Sequence, residues 1–183
     1  MTTAPVRTLP KPLRRGLLTL HVITSVGWLG ISLGNIALAL TVYNTSDPAL
    51  QHSIYRVLEI VGNIVILPIS LTAFATGVVL SVGTHWGLLR HKWVLIKLVL
   101  TLGTVLMTYL SLVPGLRESA AIVDATAPDR LADIDGSGLL SAAFVSSSIY
   151  TFNVVLSTFK PWGRTRWGRR AAEQARTRVA ARV

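Results

Sequence analysis

Cysteine is absent and charge is scarce. With no Cys among 183 residues, disulfides, thiolate metal sites and cysteine nucleophiles are excluded. Charged residues make up 14%, where a soluble domain carries about a quarter. Acids are rarest: eight Asp and Glu stand against 18 Lys and Arg, a net charge of +10. Motif chemistry is missing too. No phosphate-binding glycine loop, HExxH pair or nucleophile elbow occurs. Asp133-Ile134-Asp135-Gly136 fails as a calcium loop, because Leu131 and Ala142 fall where two ligands are needed.

What fills the chain instead is apolar and long. Uncharged stretches run Gly16–Ser46, Ile60–Leu89, Leu98–Leu116 and Gly136–Phe159, of 31, 30, 19 and 24 residues. About 20 residues at 1.5 Å each cross a hydrocarbon core of roughly 30 Å. These lengths exclude a soluble enzyme, a disordered tail and an all-β barrel. Backbone groups inside a bilayer must bond within their own segment, so each span is a helix. The sequence therefore predicts an all-α protein, a four-transmembrane-helix bundle, with spans at about 16–42, 57–84, 93–113 and 138–159. Residues 1–15 and 160–183 read as basic tails flanking a membrane domain over 16–159, and 114–137 as an acidic loop.

The charges orient the bundle. Arg7, Lys11, Arg14 and Arg15 precede the first span, and Arg90 and Lys92 join the second to the third. The last tail adds Lys160, Arg164, Arg166, Arg169, Arg170, Arg176, Arg178 and Arg182, with Glu173 the one acid in all three segments. Segment 114–137 instead holds five acids against Arg117 and Arg130. Short basic flanks stay cytoplasmic, which puts both termini inside a bacterial-type inner (plasma) membrane. Arg14, Arg15 and Ala37-Leu38-Ala39 also resemble a secretory signal, but a signal core is about 7–15 residues and this run is far longer. An uncleaved first span is expected.

Polar residues recur at steps of three and four, the spacing of one helical face. His21, Ser25, Trp28, Ser32 and Asn35 mark the first helix, and Lys97, Thr101, Thr104, Thr108 and Ser111 the third. Asn63, Ser70, Gly77, Ser81 and, slightly off line, His85 follow the second, and Ala142, Ser146, Tyr150, Asn153 and Ser157 the fourth. Four such lines imply a polar seam. Pro68 should kink the second helix, and Asn35 and Asn63 lie level for a mutual bond. Gly30 and Gly34 form a small-xxx-small pair that suits a neighbouring helix or a second copy of the chain. Trp162 and Trp167 among the last arginines suit an interface of anionic lipid headgroups, which leaves the basic tails no need of nucleic acid.

His21 lies five residues past Gly16, about 7 Å into the membrane, and Lys97 and His85 fall near the same depth on two other helices. No carboxylate shares that slab. Lys97 either snorkels to water or meets an anion from outside the chain. Two imidazoles with a lysine suit haem b, with His21 and His85 as candidate ligands to the haem iron and Lys97 on a propionate or as an alternative axial group.

Leu20-His21-Val22-Ile23-Thr24-Ser25-Val26-Gly27-Trp28-Leu29-Gly30 and Trp93-Val94-Leu95-Ile96-Lys97-Leu98, with Pro68 and Gly77 between, carry a resemblance. The chain resembles an uncharacterised family of four-helix bacterial integral membrane proteins. More distantly it is similar to copper-resistance D-type proteins and the haem-containing membrane protoporphyrinogen oxidase. The resemblance covers Leu20 to about Ser111. It implies a four-helix fold and, through the oxidase, a haem-dependent role for His21 and Lys97. A redox or accessory haem protein is one expectation. A non-catalytic protein acting through a partner is the alternative, and a small-solute or metal transporter a further one. Whether the chain is an enzyme stays open.

Overall fold

The computed structural model describes residues 9–84 and 87–180. Among them the chain is helical, with no sheet. Helix α1 (Lys11–Asn44) opens on Pro10 and Pro12, and α2 (Pro48–Ile60) on Asp47, whose carboxylate accepts from the Ala49 N–H at 2.9 Å. Proline suits the first helical turn because its missing donor is unneeded there. A π-turn (Val61–Ile66) joins α2 to α3 (Leu67–Val82) in one rod. The next rod repeats the plan: α4 (Lys92–Met107), a π-turn (Thr108–Leu112), then α5 (Val113–Ala125). Helix α6 (Ser137–Phe159) crosses once more, and α7 (Arg166–Ala180) follows a tight turn.

Four helical runs, Lys11–Asn44, Pro48–Val82, Lys92–Ala125 and Ser137–Phe159, are long and apolar enough to cross a membrane. Only 22–28% of their most apolar windows is buried within the chain, so most of that surface needs another apolar cover. Ile64 (69% exposed) and Leu110 (76%) face outward in mid-span. This surface is compatible with a multi-pass membrane protein.

The helices extend beyond the sequence expectation. The second run has 35 residues, about 52 Å, and overshoots a hydrocarbon core of roughly 30 Å. Residues 114–125, expected in the acidic loop, continue α5 instead. Charges at Arg117, Glu118 and Asp124 imitate a loop in composition but sit on a helix. Arg56 reaches Asp124 at 2.8 Å from α2, and Arg117 donates to the Asn63 amide oxygen. The expected Asn35–Asn63 clasp does not form: Asn63 bonds Arg117 and the Glu59 carbonyl, because α5 rises beside it.

The π-turns explain the prolines. The Leu67 N–H reaches five residues back to the Gly62 carbonyl, and Val113 does likewise to Thr108. Each widened turn ends two residues before Pro68 or Pro114. It relieves the ring's clash with the carbonyl four residues back, so the rod passes through proline without ending.

Two cores result. At the end away from the termini, Val42, Ile54, Tyr55, Leu58, Leu116 and Val123 pack together. Gln51 ties this lobe by accepting from the Ala132 N–H (2.8 Å) and donating to its carbonyl (3.1 Å). In mid-bundle, Trp28, Ala73, Val105 and Tyr150 pack, with the Trp28 and Tyr150 rings 4.3 Å apart. The start of α1, the end of α3, the start of α4 and the end of α6 share one end of the bundle. Leu9 donates to the Gly83 carbonyl there (3.0 Å), and Thr165 to that of Arg90 (2.9 Å).

Candidate functional site

The inward stripe of α1 brings His21 against α3. Its Nδ1 lies 3.0 Å from the Ala73 carbonyl and 3.1 Å from the Thr76 hydroxyl. A carbonyl only accepts, so Nδ1 carries the proton. The Thr76 hydroxyl spends its own proton on the Thr72 carbonyl (2.6 Å) and also acts as an acceptor. In the neutral ring Nε2 then carries the lone pair, and it bonds none of the described residues. Gly77 makes the approach possible: a Cβ there would stand 3.0 Å from the His21 Cε1.

Lys97, on α4, turns toward α6. Its ammonium donates to the Ser157 hydroxyl, which donates in turn to the Asn153 carbonyl at 2.9 Å. One turn deeper, the Asn153 amide donates to Thr101 at 3.2 Å. The Asn153 amide oxygen is buried with no hydrogen-bond partner among the described residues. Snorkelling, one of the two sequence readings of Lys97, does not describe this geometry: the ammonium is held across the bundle by a neutral hydroxyl. The ion pair found among the described residues, Arg56–Asp124, belongs to the opposite lobe.

His21, Lys97 and Ser157 line one cavity of about 250 Å³ together with Thr101, Ser81 and Thr84. Phe74, Val78, Trp93 and Leu98 complete its walls, and Leu88 of the α3–α4 connection also borders it. Two of the three expected site residues are thus brought to one space. His85 lies outside the described residues. His52, the imidazole of the far lobe, is buried and bonds the Arg130 carbonyl at 3.1 Å. All four polar stripes turn inward much as expected among the described residues, with Trp28, Ser32, Ser70, Thr104, Thr108 and Tyr150 buried, while Ser111, at the end of the third, is exposed. Thr76 was missed, though its place beside Gly77 on the stripe could have marked it.

Among the described residues no three His, Asp or Glu side chains gather as a metal cage. Of the donors a haem would need, the described residues place one imidazole and one ammonium at this cavity. A ligating histidine donates its other ring N–H to a backbone carbonyl, as His21 does to Ala73, while the Lys97 ammonium would have to leave Ser157 or share it to meet a propionate. The enclosed space of about 250 Å³ is below the roughly 300–1,000 Å³ of pockets for drug-sized ligands, so it surrounds only part of a macrocycle. No family profile, curated protein or solved structure matches the chain.

Proposed function

We propose that the chain is a multi-pass protein of the plasma membrane, both termini cytoplasmic, whose cavity between α1, α3, α4 and α6 holds haem b for a redox or accessory role. His21 ligates through Nε2, and Lys97 meets an acid group that the protein itself does not supply at this level. The observation that carries the reading is the contact of His21 Nδ1 with the Ala73 carbonyl, an acceptor that places the proton on Nδ1 and the lone pair on Nε2. The group would supply one-electron chemistry; the chain's part is to orient the imidazole through Ala73 and Thr76 and to place a cation opposite. The basic flanks support the orientation.

The test is an absorption spectrum of protein purified in detergent from haem-supplied cells. A Soret band is expected in the parent chain and lost in His21→Ala, while Lys97→Gln retains less haem. A parent chain without that band overturns the reading.

A second reading rests on the glycine face of α1. Gly30 and Gly34 are exposed, and a Cβ at either meets nothing within 4 Å. Small residues left open on a spanning helix suit close approach by another helix. As a protein that acts through a partner or a second copy, the chain would tolerate His21→Ala and lose assembly on a native gel with Gly30→Leu.

A further inference from the structure

The last helix is held to the bundle as a built element. Helix α6 ends in a turn where Lys160 (φ 46°), Trp162 (φ 61°) and Gly163 (φ 30°) all adopt left-handed backbone. Side-chain-bearing residues rarely take this conformation, and they keep it where the surroundings impose it. The turn sends the chain back across the end of the bundle. There the Lys92 N–H donates to the Gly163 carbonyl (3.3 Å), and Thr165 bonds the Arg90 carbonyl through its N–H (2.9 Å). The Thr165 hydroxyl reaches the Leu89 carbonyl at 2.6 Å and accepts from the Gly168 N–H at 3.1 Å, capping α7.

The first two turns of α7, residues 166–173, are two-faced. At 3.6 residues per turn, Trp167, Gly168, Ala171 and Ala172 fall within an arc of roughly 140°. Arg166, Arg169, Arg170 and Glu173 fall on the opposite side. Gly168 is buried against the α3–α4 connection, whereas Trp167 is 61% exposed, close in sequence to exposed Trp162 and Phe159. Arginines on one face, with indole and small apolar residues on the other, make the pattern of a helix lying in a membrane interface. The positive charge selects the headgroup: arginines near a surface favour anionic lipid by ~1 kcal/mol each, about fivefold.

We propose that α7 is an in-plane helix that binds anionic phospholipid headgroups through Arg166, Arg169 and Arg170 while its Trp167–Ala171 face enters the interface. The absence of cysteine permits single-site spin labels at Ala171→Cys and Thr177→Cys in the full chain. The protein is placed in nanodiscs of phosphatidylcholine alone or of an equal mixture with phosphatidylglycerol. In the mixed discs, collision of a water-soluble nickel reagent with the label at 171 is expected to be at least about fivefold lower than at 177. Replacing Arg166, Arg169 and Arg170 together by Gln removes that protection, and Glu173→Gln increases it. Equal collision at both sites in mixed discs overturns the proposal, as a partner from the aqueous phase would then be the occupant. Equal protection with and without phosphatidylglycerol overturns the anionic selectivity, as does protection that survives both sets of substitutions unchanged.

Discussion

Single side chains here are decided by whether a neighbour can answer them. Tyr55 is 1% exposed, and its hydroxyl has no hydrogen-bond partner among the described residues. A buried hydroxyl without a partner costs about 1–3 kcal/mol relative to water. Tyr55→Phe is therefore expected to leave stability unchanged or raise it by about 1 kcal/mol, read as the melting temperature in detergent; a fall of several degrees would show a missed partner. Gln51 is the opposite case. Its amide answers both backbone groups of Ala132, and Gln51→Leu leaves them unpaired in a buried place, with an expected loss of about 2–3 kcal/mol in the same assay. Asp135 accepts from the Ser137 N–H and hydroxyl, each at 2.9 Å, and these bonds hold its carboxyl below the usual carboxylate range. A depressed folded value means that the stabilisation is complete above the unfolded value, about 3.9, and fades as pH falls through the folded one. Ser137→Ala should diminish that acid dependence without altering stability at neutral pH by much. None of these answers is visible from composition: His21 could be singled out from its depth, but its partner on α3 required the packing of two helices.

Elements were legible where one physical rule dominated. Length and apolarity marked four spans, and a period of 3.6 marked which side of each faces in. The rods around Pro68 and Pro114 were less legible, because two rules compete there. Proline argues for a break, whereas packing of α2 on α5 rewards continuity. The added residue of each π-turn settles the conflict, and no residue type announces such a turn. Charges misled at α5, since Arg117 and Asp124 serve contacts between protruding helix ends. The Arg56–Asp124 pair is mostly exposed, so Arg56→Ala should change stability by less than about 1 kcal/mol. Close approach matters more. At Gly62, in the first π-turn, a Cβ would stand 3.0 Å from Leu116 Cδ1 and 3.8 Å from Val113 Cγ2. Gly62→Val should overpack this junction and cost about 1–3 kcal/mol, again seen in the melting temperature; an unchanged value would show that the rods slide freely.

At the scale of the molecule, the two ends have separate work. The end away from the termini is a packed lobe, built on Tyr55, Leu58, Leu116 and Val123 with Gln51 and His52 tying down the chain after α5. The end with the termini keeps a cavity, an open imidazole nitrogen and an ammonium held by a hydroxyl. Stability and binding of the proposed ligand should therefore separate: substitutions at Gln51 or Gly62 lower melting, while His21→Ala abolishes binding and Lys97→Gln weakens it, each in a chain that still folds. Native mass spectrometry of the full chain from haem-supplied cells tests this most directly, with His21→Ala measured beside it. The account predicts the added mass of one haem on the parent chain and its loss from the variant. A parent chain that carries no added mass, or a variant that keeps it, contradicts the account.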